Sequence, residues 1–550
     1  AQSSPPDGRF GAVEAFRDPA AASEAGVGWD RALFYWSELQ PGGPEDWNGY
    51  HVPDDWLQLA AQEGREVIGL LKHTPAWATD GVPGCGVPRG LELPVDDPNN
   101  LWAAFVRRVV GVYRDRVNHW VIWNEPDIDS ATYGNEWCGS IESYYRLLKV
   151  GYLAAHEVDP DVRIQLAGLT FWHDRDYLHR LLGLMVQDPS AAAHDYYFDV
   201  VTLHIYFQTE SVPYIINEAK SALGDYGLSK PIWVNETNAS PDSDPEWRLV
   251  RPRWRVSLDE QASFLLQSFA LALSAGAERV AVYKLKDVGL PPGGEPFGLI
   301  RPDGSRRPAF DAYKLITSHY AGTISGREDR HGLYEVVTLE RGKLTTRVVW
   351  ARTANDASIS LATLAPSARL IDQRGNEQLI EADNGVYRLT LPGARCADEY
   401  LGCIIGGPTY LLVEDTSIPG ATATPAVTPT VVVSPTVVMS TTATLAPSTV
   451  PSATPVPAIL PTETSAPTPT STLLPTSTPT PTAMPSPTST TTPSRTPSPA
   501  PTLALPSPKP ARRPATPLTL IGGPGLPVAV TTALLASAAA LWLLTRKPRT

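Results

Sequence analysis

The chain has 550 residues, a formal net charge of −13, 15 Trp and 20 Tyr. That is roughly three or four units' worth of chain, with aromatic residues enough for a large core and for stacking on rings. The acidic balance excludes a nucleic-acid partner, which needs clustered Lys and Arg.

In chain order, residues 1–322 alternate short β-branched or aromatic runs with amphipathic helical runs. The spacing predicts strands at 9–16, 30–37, 66–72, 118–123, 163–169, 199–207, 231–235 and 279–285. It predicts helices between them at 53–64, 100–113, 141–157, 177–186, 211–223 and 258–275. Several carry helix-start signals, such as Pro53-Asp54-Asp55 and Ser257-Leu258-Asp259-Glu260. Eight strands alternating with helices are the signature of a (β/α)8 TIM barrel. A doubly wound sheet alternates too, but carries a glycine-rich first turn that this sequence lacks.

Residues 325–414 change character. Short alternating runs such as YEVVTLE and PTYLLVE sit between turn residues, which predicts a small antiparallel β-sandwich.

Residues 416–517 hold 25 of the 55 prolines, no aromatic residue, and mostly Thr, Ser, Ala and Val besides. Such a segment cannot bury enough apolar surface to offset its ordering entropy, so a disordered, extended stalk is expected. Then 526–544 runs 19 uncharged residues, closed by Arg546, Lys547 and Arg549. That length suits a single transmembrane helix. The basic flanks are nearly balanced, and the tail beyond is only a few residues, so the large N-terminal part is expected outside, at the cell surface. The opening AQSSPPDG has the look of a mature terminus.

The four cysteines, Cys85, Cys138, Cys396 and Cys403, form no CxxC pair and have no His at zinc spacing, so no metal site is expected. They fit two disulfides in an oxidising compartment. Cys396 and Cys403 can bridge locally, and Cys85 and Cys138 can join two loops. Four buried free thiols are the alternative.

The chemistry lies at strand ends. VIWNEPD (121–127) is an apolar run that stops at Asn124-Glu125-Pro126, and PIWVNETN (231–238) ends in Asn235-Glu236. In a parallel barrel, the C-terminal ends of the strands carry the active site. Glu125 would end the fourth strand and Glu236 the seventh, facing each other across one mouth. Two such carboxylates suit glycoside hydrolysis: one protonates the leaving oxygen, the other attacks the anomeric carbon. Asn124 is placed to bind a sugar 2-hydroxyl, and Pro126 restricts Glu125 to extended geometry.

These residues resemble the clan A retaining glycosidases, which include cellulases, xylanases, β-galactosidases, β-xylosidases and α-iduronidase. The resemblance covers about 1–322, with 325–414 as the accessory β domain many members carry. It implies Glu125 as acid/base, Glu236 as nucleophile and Asn124 as the asparagine before the acid/base. It also implies His204-Ile205-Tyr206 as the sixth-strand His-x-Tyr, with Tyr206 near the nucleophile, and Arg31 as the second-strand arginine. The clan often has Trp at the end of the eighth strand. Here AVYKLKD stands instead, with Tyr283, Lys284 and Lys286; a cleft-facing Lys284 would favour an acidic sugar or a particular hydroxyl pattern, and a buried ion-pair partner is the equal alternative.

Trp36, Glu38, His73, Trp77 and Trp172 also follow strand ends and are candidate sugar contacts. The reading is a retaining glycoside hydrolase, with no cofactor and no metal, acting on oligo- or polysaccharide. Two other readings use the same chain. One is a non-catalytic carbohydrate-binding protein displayed on a glycosidase barrel, and the other is a transglycosylase.

Overall fold

The computed structural model describes residues 5–128, 134–247, 254–289, 294, 296–397 and 402–417. The expected transmembrane span, and all of the expected stalk beyond Ser417, lie outside these. Among the described residues, no helix is long and apolar enough to cross a membrane.

Eight parallel strands form the barrel: β1 (Phe10–Val13), β2 (Trp29–Tyr35), β3 (Glu66–Lys72), β4 (His119–Ile122), β5 (Arg163–Gln165), β6 (Val201–Tyr206), β7 (Ile232–Asn238) and β8 (Arg279–Val282). The hydrogen-bonded order is β5-β4-β3-β2-β1-β8-β7-β6. The ring closes through backbone bonds between the segment after β5 and β6. Leu166 N donates to Val200 O at 3.0 Å, and His204 N to Leu169 O at 2.9 Å.

The helices between strands start where the sequence signals them. Asn100 and Ser140 accept hydrogen bonds from Ala103 N and Ser143 N. Ser257 and Glu260 form a reciprocal capping box on the helix Leu258–Ser274.

Strand alternation sorts the side chains into two sets. Trp29, Ile68, Leu70, Val121, Trp233 and Ala281 form a cluster of their own inside the ring. Their neighbours, such as Phe34, Leu71, Ile122 and Val234, join the larger core under the helices. The interior set plugs the lower barrel with apolar bulk, so only the strand ends are left for polar groups.

Residues 325–415 form two antiparallel sheets. One has six strands, in the order β14 (Glu377–Glu381), β13 (Ser367–Asp372), β16 (Tyr410–Asp415), β11 (Leu344–Ala351), β10 (Tyr334–Arg341) and β9 (Ser325–Arg330). The other pairs β12 (Ala357–Ala362) with β15 (Val386–Leu391). One face of the six-stranded sheet (Val336, Val349, Leu412) packs with Ile359 and Tyr387 of the two-stranded one. The opposite face (Val337, Val348, Trp350, Leu411) belongs to the barrel's own core.

The helix Leu258–Ser274 lies in that shared core, and every residue from Gln261 to Leu273 is buried. This explains a helix that is apolar nearly all round. Gln261, Ser263, Gln267 and Ser268 are its buried polar residues, and Gln267 makes the most bonds to the rest of the fold. The Oε1 atom accepts from Thr209 Oγ1 and Gly406 N, both at 3.1 Å, while Nε2 donates to Gly407 O at 3.0 Å and Thr409 Oγ1 at 2.9 Å. One side chain thus joins the loop after β6 to the sheet.

Two disulfides are present, Cys85–Cys138 and Cys396–Cys403. The first ties the loop after β3 to the loop after β4, where Cys138 N also donates to Cys85 O at 2.9 Å.

A core shared by barrel and sheet predicts one cooperative unfolding transition, not two, in calorimetry of the full-length chain. Gln267→Leu fills a similar volume but leaves four polar partners unpaired, three of them buried. It should cost about 3 kcal/mol in denaturant titration. Two separate transitions, or no cost, would show that the two parts are not joined there.

Candidate active site

Glu236 does not end β7, because the strand continues to Asn238. The ladder shows why the glutamate still faces the interior. Val234 pairs with Leu203, but the next pair is Glu236 with His204, and Asn235 is left over as a bulge. Against β8, the register likewise shifts between Val234 and Thr237. Below the bulge the inward residue is Trp233; above it, Glu236. A regular strand would turn Glu236 outward, so the extra residue re-aims the side chain.

Glu236 is 2% exposed. Arg31 Nη2 donates to its Oε1 and the Tyr206 hydroxyl donates to its Oε2. Burial alone would raise its pKa. The Arg31 charge and the hydrogen bonds from Tyr206 and Arg31 outweigh that and hold the carboxyl below its ordinary range.

Glu125 lies just past β4, with φ of 42°, and its N donates to Gly168 O at 3.1 Å. The extended geometry expected before Pro126 is therefore not adopted. The neighbouring segment fixes the backbone instead, through this bond and the parallel bridge Asn124–Gly168. Asp127 adds to the hold, accepting from Thr170 N at 2.8 Å and Thr170 Oγ1 at 2.7 Å. Glu125 is 1% exposed. Burial, then the charges of Glu236, Glu136 and Asp127, push its pKa well above the ordinary carboxylate value.

His204 stands between the two. Its Nδ1 is 2.7 Å from Glu125 Oε1 and 3.4 Å from Glu236 Oε2, and its Nε2 is 3.4 Å from Arg31 Nη1. Burial brings its pKa down to about 4, so the ring is neutral near pH 7. The guanidinium can only donate, so Nε2 accepts and the ring proton sits on Nδ1, which donates to Glu125 Oε1. Among the described residues Glu125 Oε2 has no hydrogen-bond partner, and it is the oxygen left to carry that residue's proton.

Atoms of Glu125, His204 and Glu236 lie within 4.8 Å of one another. Residues of these types can bind a cation, but the Arg31 guanidinium already supplies the positive charge there.

Gly168 makes the cluster possible. A Cβ at that position would meet His204 Nε2 at 2.0 Å. Asn124 is half-buried beside Glu125. At the end of β8, Tyr283 is half-buried, with its ring 6.2 Å from Tyr206 and 5.7 Å from Phe297.

The remaining candidates scatter. Trp36 is wholly buried and stacks on Phe105 at 4.9 Å, so it is core and has no face for a sugar. Lys284 is buried, with its Nζ 3.3 Å from Glu14 Oε2, and it serves an ion pair instead of standing free in the cleft. Lys286 pairs likewise with Asp18 at 2.9 Å. Glu38 is exposed. His73 stacks on Tyr35 at 4.5 Å. Trp77 is half-buried, edge-on to Trp36, and its Nε1 donates to Gln40 O at 2.7 Å. Trp172 has Tyr214 parallel at 6.0 Å and the Arg175 guanidinium 4.7 Å over its ring.

Sequence reasoning missed Gly168, Asp127, and the buried ion pair of Lys72 with Glu136. Inward parity would have found Lys72, since it follows Ile68 and Leu70 on one face of β3.

With this geometry in view, comparison with known proteins yields a fold. No protein-family model matches the chain, and no curated protein does. Among solved structures, a family 39 glycoside hydrolase from the gut symbiont Bacteroides cellulosilyticus WH2 aligns with TM-score 0.55 and 18% identity, over 74% of this chain and 81% of that one. A monomeric β-xylosidase from Caulobacter crescentus CB15 aligns with TM-score 0.50 and 16% identity, over 75% and 97%. The barrel shares its fold with these glycoside hydrolases. At these identities the likeness is one of architecture.

Gly168→Ala should push His204 off both glutamates and cost about 1–3 kcal/mol. Denaturant titration reads the cost, and the imidazole NMR signals of His204 read the displacement. An unmoved ring would mean that the glycine does not make the space.

Proposed function

We propose that the chain is a retaining glycoside hydrolase, with Glu236 as nucleophile and Glu125 as acid/base. One observation carries the reading. Two buried carboxyl groups have oxygens within 4.8 Å of each other, yet their surroundings push their proton affinities in opposite directions. Glycosidases that retain configuration hold their carboxyl groups about 5–5.5 Å apart, whereas inverting ones leave about 6.5–9.5 Å for a water. Opposed pKa shifts in a carboxyl pair assign the acid and the base.

In the first step a Glu236 oxygen bonds to the anomeric carbon as the glycosidic C–O bond breaks. The Glu125 proton, on Oε2, passes to the departing oxygen. Arg31 and Tyr206 keep Glu236 ionised and aimed. In the second step Glu125, now a carboxylate, takes a proton from water. The water oxygen bonds to the anomeric carbon and the ester to Glu236 breaks. Neutral His204 holds Glu125 Oε1 throughout and leaves the other oxygen to do the proton transfer. No cofactor is used. The substrate is an O-glycoside of an oligo- or polysaccharide; transfer to a sugar acceptor instead of water would use the same groups.

We also infer display at a cell surface, with 526–544 as the anchor and 416–517 as the stalk. The support is compositional, together with two disulfides that suit an oxidising compartment. Fractionation of the native cells tests it: the chain should resist carbonate extraction and be shaved by external protease.

The full-length chain should hydrolyse a member of a panel of aryl glycosides and polysaccharides, releasing a product of unchanged anomeric configuration by NMR. Glu236→Gln should abolish turnover, and Glu125→Gln should lower kcat roughly 10²–10⁴-fold. The pH profile follows from the signs. Glu236 stays charged until pH falls below the ordinary carboxylate range, and Glu125 keeps its proton until pH rises well above it. The active window should therefore be wide and bounded above by Glu125, and Glu125→Gln should remove that upper limb. Measurable glycan binding with no turnover on any member would favour the display protein.

A further inference from the structure

The loop after β4 carries a second charged group. The Glu136 carboxylate accepts from the Lys72 ammonium, and both side chains are about nine-tenths buried. Lys72 is the last residue of β3 and faces the interior, in line with Ile68 and Leu70. Glu136 is fixed from two directions. Trp123 Nε1 donates to its backbone oxygen at 2.7 Å, and two residues on, Cys138 is bonded to Cys85. Trp123 N also donates to Leu71 O at 2.9 Å. The strand bearing Lys72, the segment bearing Glu125 and the loop bearing Glu136 are thus tied into one piece.

Stability alone is a poor reason for this pair. Burying two charges costs several kcal/mol each in desolvation, and apolar replacements of similar volume are often neutral or better. Its location offers another. Both charges act on Glu125, with opposite signs.

We propose that Lys72–Glu136 is a positioning pair whose balanced charges control the proton on Glu125, a role that rests on the glycosidase reading above. The other charged and titratable groups facing Glu125 are Asp127 on its own segment, Arg31 of β2, His204 and Tyr206 of β6, and Glu236 of β7. Arg31 is committed to Glu236 and His204 is neutral. Lys72 is therefore the cation that can offset acids on the Glu125 side. Glu136 in turn keeps that ammonium from drawing the proton off Glu125 too early. The Cys85–Cys138 bond fixes where the negative partner sits.

The test uses the full-length chain and the pH profile of kcat/KM. Glu136→Gln leaves Lys72 unopposed beside Glu125, so the upper limb should move down by about one pH unit. On that limb the rate then falls about tenfold. Adding Lys72→Met to that variant removes the lone cation and should return most of the shift. A structural role would lower the melting temperature in either variant without moving the limb one way and then back. The double variant leaves no unpaired buried charge, which guards against a single variant that fails to fold. An unmoved limb in Glu136→Gln overturns the proposal, as does a shift that persists in the double variant. If the wild-type chain turns over no substrate, the glycosidase reading has failed separately. The proposal is then read from the 13C carboxyl titration of Glu125, identified by its absence in Glu125→Gln, with the same two shifts expected.

Discussion

Two carboxylates buried within 4.8 Å of each other cannot both be charged unless something compensates one of them. Much of the structure around the barrel mouth answers that constraint. Arg31 and Tyr206 both bind Glu236, and among the described residues no Arg or Lys binds Glu125 in the same way. The asymmetry gives two chemically identical side chains different protonation states. His204 fits between them because it is neutral, and Gly168 leaves the room for its ring.

The supporting elements are arranged to keep that cluster from relaxing. Trp29 and Trp233 fill the barrel below it. Asp127 ties the segment after β4 to the one after β5. Farther round, Asp244 accepts from both Arg301 and Arg307, and Arg307 also reaches Asp287 at 2.7 Å, all in the interior. That network joins the loop after β7 to the one after β8 and steadies Phe297, which packs on Tyr206 and Tyr283. Charge is buried here in groups that satisfy each other, the condition under which it is tolerated at all.

All eight barrel strands were legible in the sequence, because each is a short apolar run between turn residues and helix signals. Among the described residues, six of the seven helices of nine or more residues were legible to within a few residues for the same reason, and Pro308–His319 was the one missed. What the sequence hides depends on contacts between distant segments. The antiparallel strands of 325–414 could be read, but not that their sheet shares a core with the barrel. That fact rests on the outward face of a helix whose amphipathic pattern is nearly gone. Trp36 and Trp77 look alike in the sequence, and it is the rings of Phe105 and Trp102 around it that make Trp36 core. Lys284 reads as a cleft residue until Glu14, 270 positions earlier, is seen beside it. The glutamates themselves stood out because an apolar strand that stops at a carboxylate is uncommon. Their grip by Arg31 and Tyr206 needed the closed ring.

The bulge at Asn235 has a consequence for how such a barrel can change over time. Side chains of β7 point by one parity below that residue and by the other above it. The lower half of the strand is thereby decoupled from the upper half. Substitutions that repack Trp233 and its layer are absorbed beneath the irregularity and need not rotate Glu236. Ironing out the bulge while residue 235 is kept would pair Asn235 with His204 and turn the carboxylate out of the barrel, whereas loss of the codon at 235 would leave Glu236 paired with His204 and facing in. The chemistry of the mouth thus depends less on which residues this strand carries than on the irregularity persisting as long as residue 235 does.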